Sequence, residues 1–310
     1  GWTPLVATVW QGVAVAMKMD FLMPSGSFKD RGTAVMLNYL KQAGVGAILE
    51  DSSGNAGASI ATYAAALAMN CRIMVPASAP MAKKVQIAAA GAKVESISGS
   101  REDVSTAALT AAATMFYASH NWQPFFLEGT KTLAFELWEQ LGFQAPDCVV
   151  IPLGQGSNVL GCRIGFGELL AQGQIQRLPR LYAVQAANCA PVHAAFQEGA
   201  EAAVPIEVRP TMADGIASEK PVRLRHVLQA IRQSGGGTVA VGEADIVQAL
   251  GHLARAGFFV EPTAAAGVAG LGRLIRAGEV RAGETIVAIL TGSGLKAVER
   301  IGQELGLVGG

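Results

Sequence analysis

The sequence is poor in charged side chains and has no excess of either sign. Only 15% of its 310 residues are Asp, Glu, Lys or Arg, and 24 basic residues balance 24 acidic ones. Proteins that bind nucleic acid or an anionic membrane surface usually carry a basic excess on the surface that makes the contact. We therefore expect neither kind of partner.

Long apolar runs and metal-binding histidine patterns are also missing. No stretch approaches the ~18 consecutive apolar residues of a membrane-spanning helix, so no such span is expected. No carboxylate or cysteine stands at ligand spacing from a histidine, so no metal site is predicted. Surface or capping roles are expected for His120, His193, His226 and His252.

The sequence has four cysteines and no C-x-x-C pair among them. Each stands within or beside an apolar run, namely Cys71, Cys148, Cys162 and Cys189. This usage is typical of buried, unbridged thiols in a reducing compartment. We therefore expect a cytoplasmic protein.

Apolar residues and glycine, in contrast, are abundant. Hydrophobic residues make up 51% of the chain, and many of the 37 glycines directly follow a short apolar run. Strand-like runs alternate with helical segments, which predicts an α/β fold with parallel sheets covered by helices on both faces. The number of runs favours two α/β lobes. Local predictions include a helix over 101–119, an extended segment at 125–127, an irregular stretch from 186 to about 221, and a strand at 258–260.

Residues 24–32 are the most informative segment, with the sequence Pro-Ser-Gly-Ser-Phe-Lys-Asp-Arg-Gly. Ser27 and Asp30, placed ahead of an apolar run, predict a capping box that opens a helix, and Gly44 predicts its end. Lys29 then falls in the first turn, where the helix dipole disfavours a cation. Its amine is either carried past the cap into solvent or neutralised in an imine, and this segment alone does not decide which.

Four loops with unusual residues follow predicted strands, which is where open α/β folds bind ligands. They are Ser52–Asn55, Gly154–Asn158, Glu261–Thr263 and Thr291–Lys296. The glycines of the second loop allow backbone N–H groups to face an anion at a helix start, which favours a phosphate site without a nucleotide-binding pattern.

The other loops offer different hydrogen-bonding groups. The Ser52–Asn55 loop suits a carboxylate, and the Asn55 amide can donate to a phenolate-type oxygen. Thr291 offers a hydroxyl that can donate to a neutral aromatic nitrogen. Each loop alone is also typical of an ordinary turn. Together with an imine-forming amine, however, these groups fit one ligand, pyridoxal 5′-phosphate bound to an amino acid.

With these features the chain resembles the fold-type II pyridoxal-phosphate enzymes and, within that group, the threonine synthase family. The segments that carry the resemblance follow the family's order, at residues 25–32, 52–59, 128–136, 259–262 and 291–296. The resemblance implies a two-lobed fold like that of the tryptophan synthase β subunit. Its smaller mobile domain would comprise residues 22–128, and its larger phosphate-binding domain residues 1–21 and 129–310.

The resemblance also implies roles for individual residues. Lys29 would form the Schiff base with pyridoxal 5′-phosphate and later move protons, Asn55 would bind the cofactor's 3′ oxygen, and Thr291 would meet the pyridine nitrogen. The cofactor phosphate would be held by Gly154, Gln155, Gly156, Ser157 and Asn158. The substrate carboxylate would be bound by Ser52, Ser53 and Gly54.

The implied enzyme is a carbon–oxygen lyase, a homodimer that converts O-phosphohomoserine and water to threonine and phosphate. Such a substrate needs a second anion site, and the cations Arg31, Lys131 and Lys296 stand beside the predicted loops. Residues 211–217, however, resemble a loop of threonine and serine ammonia-lyases, which are the alternative. A third hypothesis is a non-catalytic phosphate- or nucleotide-binding protein in which Lys29 is only structural.

Overall fold

The structure is a computed structural model that describes residues 2–52, 54–77, 79, 81–99 and 101–308. Contacts within the chain divide it into two compact units. We call Gly1–Leu22 with Lys131–Gly310 the large unit, and Met23–Thr130 the small unit.

Strands and helices alternate along most of the chain. The strands are β1 (Leu5–Trp10), β2 (Val13–Lys18), β3 (Ala47–Glu50), β4 (Asn70–Pro76), β5 (Lys93–Ile97), β6 (Phe116–Tyr117), β7 (Cys148–Pro152), β8 (Arg180–Ala186), β9 (Gly237–Val241) and β10 (Ile286–Ile289). The helices are α1 (Lys29–Gln42), α2 (Asn55–Ala66), α3 (Met81–Ala89), α4 (Arg101–Ala111), α5 (Pro124–Thr130), α6 (Thr132–Gln140), α7 (Ser157–Ala171), α8 (Pro191–Gln197), α9 (Leu224–Gln233), α10 (Glu243–Arg255), α11 (Pro262–Arg276) and α12 (Val298–Glu304).

A six-stranded sheet in the order β1-β2-β10-β7-β8-β9 forms the centre of the large unit. β1 and β2 make an antiparallel hairpin, and the other neighbouring strands pair in parallel. Every residue of β7 and of β10 is buried, as expected for parallel strands covered on both faces. Because β7 and β10 are parallel neighbours, the loops that follow them leave the sheet at the same edge.

Helix α11 packs onto this sheet through residues that have little or no side chain. A Cβ atom at Gly270 would lie 2.4 Å from Cγ2 of Val184, and one at Gly267 would lie 2.8 Å from Cγ of Pro152. Larger residues at these two positions would push the helix off the strands. The close approach determines where the start of α11, and Glu261 just before it, lie in the large unit.

The small unit is built on a four-stranded parallel sheet in the order β5-β4-β3-β6. Its main core cluster includes Met36, Leu37, Ile48, Ile60, Ile73 and Phe126. The fold class predicted from the sequence, α/β with parallel sheets covered by helices, is confirmed. Among the described residues, none of the helices has the length and apolar character that a membrane span requires.

The chain between residues 101 and 130 differs from its prediction. The helix expected over 101–119 ends at Ala111, and β6 follows it as a neighbour of β3. The extended segment expected at 125–127 lies inside α5. Pro124 is favourable at the first helical position, and the Phe125 ring stacks on Tyr39 with ring centroids 3.5 Å apart. Tertiary packing therefore outweighs the β propensity of this short apolar run.

Two further local predictions are wrong. The strand expected at 258–260 does not form, and Val260 makes only a single antiparallel bridge to Ser293. Gly257, with φ +89°, turns the chain directly after α10, and α11 begins at Pro262, so the segment between them is a short connection. The irregular stretch expected up to residue 221 contains α8, whose first residue, Pro191, suits the first helical position.

Candidate active site

Lys29 is the first residue of α1, but the predicted capping box does not form. The helix start has no side-chain cap hydrogen bond, and Ser27 Oγ is buried without a hydrogen-bond partner. The Asp30 carboxylate instead accepts hydrogen bonds from Ser25 and from Ser59 of α2. These donors engage both carboxylate oxygens, which draws Asp30 away from the cap.

The Lys29 amine lies among aromatic rings. Its Nζ is 4.8 Å from the ring centroid of Phe28 and 5.7 Å from that of Phe126. Phe126 approaches α1 closely because Gly32 has no side chain; a Cβ there would lie 2.6 Å from three of the ring carbons. The two rings attract a cationic amine and also remove water from around it.

Asn55 is the first residue of α2, and the loop before it packs tightly on that helix. Ser52 Oγ accepts a hydrogen bond from Gly54 N at 3.3 Å. A Cβ at Gly57 would lie 1.8 Å from the Ser52 carbonyl oxygen, so only glycine permits this contact. The N–H groups of the first helical turn suit a carboxylate ligand. Ser53, predicted to bind the same carboxylate, lies outside the described residues.

Glu50 and His120 form a buried pair that sequence reasoning missed. His120 Nδ1 lies 2.8 Å from Glu50 Oε1, and the His120 backbone N–H donates to Oε2 at 3.3 Å. The surface or capping role expected for His120 is therefore wrong. The pair joins the end of β3, directly ahead of the Ser52–Gly54 loop, to the chain after β6. A glutamate at the end of an apolar strand was the only sequence signal.

In the large unit, the Gly154–Asn158 loop connects β7 to α7. Gly156 has φ +89° and forms the N-cap, a backbone conformation that favours glycine. A Cβ at Gly154 would lie 3.1 Å from Ile216 Cα. Both polar atoms of the Asn158 side-chain amide are buried without a hydrogen-bond partner. The loop thus combines a helix start with an unsatisfied amide.

The Gln155 side chain makes hydrogen bonds within the large unit. Its Nε2 donates to Ser218 Oγ at 2.6 Å, and its Oε1 accepts from the Val222 N–H at 2.9 Å. Its amide therefore holds the segment 218–222, and any phosphate contact would come from its backbone. Ile216, which packs on Gly154, belongs to the segment that resembles the ammonia-lyase loop.

Thr291 follows β10 at the same edge of the sheet as the Gly154–Asn158 loop. Its side chain is 2% exposed, and Oγ1 has no hydrogen-bond partner. Glu261, a buried acid that the sequence flagged only as part of a loop, lies beside it. The Glu261 N–H donates to the Gly292 carbonyl, and a Cβ at Gly292 would lie 2.1 Å from Glu261 Oε1.

The unsatisfied side chains of Asn158 and Thr291 test whether pyridoxal 5′-phosphate fits the large unit. A buried polar group without a partner costs about 1–3 kcal/mol, so such groups usually have a ligand or water. An amide N–H at a helix start suits a phosphate, and a buried hydroxyl suits a pyridine nitrogen. The residues present therefore fit the cofactor.

The candidate cations lie in different surroundings. Lys131 Nζ forms an ion pair with Glu168 Oε1 at 2.8 Å, and both side chains are partly exposed. Arg31 is buried in α1, and Lys296 is partly exposed in a short 3-10 helix at Gly294–Lys296. The small unit thus holds Arg31 with Lys29, and the large unit holds the other two cations.

Neither metal nor thiol chemistry finds support in the described chain. No cluster of three or more His, Cys, Asp or Glu residues able to hold a metal is present in these ranges. All four cysteines lie within them, and no disulfide joins any pair. Burial raises the pKa of Cys71 and of Cys148 to about 12, so these thiols stay protonated and unreactive.

Comparison with known proteins identifies the family. The family described as "Pyridoxal-phosphate dependent enzyme" matches residues 1–292. The chain belongs to this family, which confirms the predicted family and its cofactor.

The chain is also similar to curated threonine synthases. The threonine synthase of Methanocaldococcus jannaschii is 37% identical over 283 residues, which cover 90% of this chain and 70% of the relative. The threonine synthase of Mycobacterium leprae is 35% identical over 304 residues, 96% of this chain and 82% of the relative.

Solved structures share the fold. Processed threonine deaminase isoform 2 from Solanum lycopersicum has a TM-score of 0.83 at 21% identity, covering 99% of this chain and 84% of that chain. Serine racemase from Dictyostelium discoideum has a TM-score of 0.80 at 20% identity, covering 95% and 92%. At these identities the likeness extends to the fold alone.

Proposed function

We propose that this protein is a pyridoxal-phosphate-dependent lyase that converts O-phosphohomoserine and water to threonine and phosphate. The observation that carries the proposal is similarity to threonine synthases at 35–37% identity over at least 90% of the chain. The unsatisfied buried groups of Asn158 and Thr291 support it, because they fit the cofactor that this reaction needs.

Bound pyridoxal 5′-phosphate supplies an electron sink for negative charge that develops at the substrate Cα. In this proposal Lys29 Nζ would hold the cofactor, and the same amine would move protons at the substrate carbons. Asn55 donates to the cofactor's 3′ oxygen. Thr291 Oγ1 would donate to the ring nitrogen, and a hydroxyl there would not protonate it.

The remaining roles are binding roles. Backbone N–H groups of Gly154–Asn158 and the Asn158 amide hold the cofactor phosphate. Ser52, Ser53 and Gly54 bind the substrate carboxylate at the start of α2. Arg31 and Lys131 bind the substrate phosphate, and Lys131 exchanges its contact with Glu168 for that anion.

Cellular setting and assembly are part of the same proposal. We propose a cytoplasmic homodimer that acts on a small amino-acid substrate and has no nucleic-acid or membrane partner. The balanced charge of 24 basic and 24 acidic residues supports the lack of a nucleic-acid or membrane partner, and the four free cysteines support the cytoplasmic setting. The homodimer rests on the family resemblance. Light scattering on the purified protein tests the dimer, and a monomeric mass would contradict it.

The alternative is an ammonia-lyase that acts on threonine or serine. It is favoured by one observation, the packing of Ile216 against Gly154, which brings the ammonia-lyase-like segment 211–217 to the phosphate loop. The two functions release different products, so one assay separates them.

The test is a substrate panel on the holoenzyme, with phosphate and ammonia release measured for O-phosphohomoserine, threonine and serine. We expect phosphate release from O-phosphohomoserine to dominate. Efficient ammonia release from threonine without phosphate release would favour the alternative.

Lys29→Ala should abolish turnover and borohydride trapping of the cofactor. The matched control is Lys41→Ala, an exposed lysine at the end of the same helix, which should retain both. Trapping on another lysine would refute the proposal.

A further inference from the structure

Asp30, the residue after Lys29, is the centre of a buried hydrogen-bond network in the small unit. We propose that Asp30, Ser25 and Ser59 form a positioning network that holds the turn before Lys29 against α2 and so aligns the Lys29 amine with Asn55. The inference rests on the proposed function, because it concerns the residues that hold the cofactor there. Asp30 is a positioning residue in this scheme and needs no contact with substrate or cofactor.

The network uses both oxygens of the carboxylate. Asp30 Oδ2 accepts a hydrogen bond from the Ser25 N–H at 2.7 Å. Asp30 Oδ1 accepts from Ser25 Oγ and from Ser59 Oγ, the latter at 2.6 Å. Ser59 Oγ also lies 2.8 Å from Thr33 Oγ1. Because a carboxylate only accepts, Ser59 donates its single proton to Asp30 and is left to accept from Thr33.

Because the network is buried, few other residue types can replace its members. Ser25 and Asp30 are each 1% exposed and Ser59 is 0% exposed, so water does not readily replace a lost partner. Asparagine has the same shape as aspartate, but one of its two positions is a donor. In Asp30→Asn the amide N–H groups can face the two serine hydroxyls only if both hydroxyls turn to accept, and the Ser25 O–H then loses the carboxylate oxygen that accepts its proton. An unsatisfied buried group results unless the turn moves.

The position of each member explains why the network would align the site. Ser25 belongs to the turn that leads into Lys29, and Asp30 lies in the same first turn of α1. Ser59 lies one turn after Asn55 on α2, on the same side of the helix. The carboxylate therefore links the starts of the two helices that carry the amine and the amide. Rigid support of this kind is what catalytic groups need in order to hold their geometry.

Tyr63 lies on the same helix as Ser59 and is influenced by Asp30. The pKa of Tyr63, one turn after Ser59 on α2, is raised to about 12, first by burial and second by the negative charge of Asp30. An ionised carboxylate forms stronger hydrogen bonds than a neutral one. The link itself rests on the hydrogen bonds that engage both carboxylate oxygens.

The experiment compares Asp30→Asn, Ser59→Ala and the double variant with the unmutated holoenzyme. Thr62→Ala is the matched control, since its hydroxyl also lies on α2 but bonds only to Ala58 of the same helix, at 2.8 Å. The readouts are kcat and KM, the dissociation constant for pyridoxal 5′-phosphate, the pH at which the bound cofactor's visible absorption changes, and urea unfolding of the cofactor-free protein.

We expect Asp30→Asn to lower kcat about 100-fold, as a ~1 Å misplacement of a catalytic group does, with a smaller change in KM. The absorption midpoint should move, because the surroundings of the Lys29 amine change. Ser59→Ala should act in the same direction and more weakly. The double variant should be no worse than Asp30→Asn alone, because the two residues share one interaction. Thr62→Ala should leave kcat, KM and the absorption midpoint unchanged.

Two results would overturn the inference. One is that Asp30→Asn and Ser59→Ala change only urea unfolding and leave kcat, KM, cofactor affinity and the absorption midpoint as in the unmutated enzyme. The other is simple additivity of the two substitutions. If Asp30→Asn does not fold, Ser59→Ala and Ser25→Ala carry the same test. Absence of trapping on Lys29 in the unmutated holoenzyme would instead refute the proposed function, so the two failures are distinguishable.

Discussion

Gly57 lies in the first turns of α2, against the backbone of Ser52. A Cβ there would lie 1.8 Å from the Ser52 carbonyl oxygen and 3.0 Å from its carbonyl carbon, both of which are backbone atoms. Relief of this overlap requires a movement of at least about 1 Å, because non-bonded atoms reach their optimum near 3.5–4.0 Å. Gly57→Ala therefore shifts the loop that we propose binds the substrate carboxylate.

The expected effect is large on activity and small on stability. A misplacement of ~1 Å costs about 100-fold in rate. Overpacking destabilises by about 1–3 kcal/mol, but alanine gains about 1 kcal/mol over glycine in a helix interior, so the net loss is about 2 kcal/mol or less. We expect kcat/KM for phosphate release to fall about 100-fold while urea unfolding stays cooperative.

The matched control for this prediction is Gly46→Ala in the same unit. Gly46 has a negative φ and no atom within 4 Å of its Cβ position, so activity and stability should stay near those of the unmutated enzyme. Gly57→Ala with unchanged kcat and KM would refute the reasoning, since it would mean that the loop takes no part in substrate binding or tolerates a large shift.

Two further predictions concern charge. Lys131→Ala should lower kcat/KM for O-phosphohomoserine about 10- to 100-fold, because one charge-assisted contact contributes about 1.5–3 kcal/mol. Glu168→Gln removes the carboxylate that lies 2.8 Å from Lys131 Nζ and should therefore lower KM. If both variants lose phosphate release in parallel, the ion pair is purely structural. Burial lowers the pKa of His193, so below about pH 6.5 the unfolded chain binds a proton that the folded protein does not, and stability falls as pH decreases through that value. His193→Gln should weaken this pH dependence in urea unfolding between about pH 7.5 and about pH 5.5, and an unchanged slope would count against it.

Much of the fold and the family could be predicted from local sequence features. Apolar runs of strand length alternate with helical segments, and this periodicity is sufficient for the α/β class. The glycines of the Gly154–Asn158 loop mark a turn whose φ values other residues rarely adopt, and Gly156 has φ +89°. The order of short motifs around Lys29 and Thr291 led to the correct family. The roles of the individual site residues remain predictions.

The missed contacts of the site depend on partners that are far apart along the chain. Asp30 has the spacing of a capping residue, but Ser59 lies 29 residues away and supplies a donor that the local pattern does not contain. The Gln155 side chain donates to Ser218, 63 residues away, so this contact could not be predicted from the loop sequence alone.

Sequence alone therefore determined the α/β class, the glycine turns and the family, because each depends on residues a few positions apart. Tertiary structure alone decided which polar groups meet. Glu50 and His120 are 70 residues apart, and they pair because β3 and β6 are neighbours in one sheet. Strand order is set by burial of the whole core, and the partner of a buried charge follows from that order and not from its own neighbours along the chain.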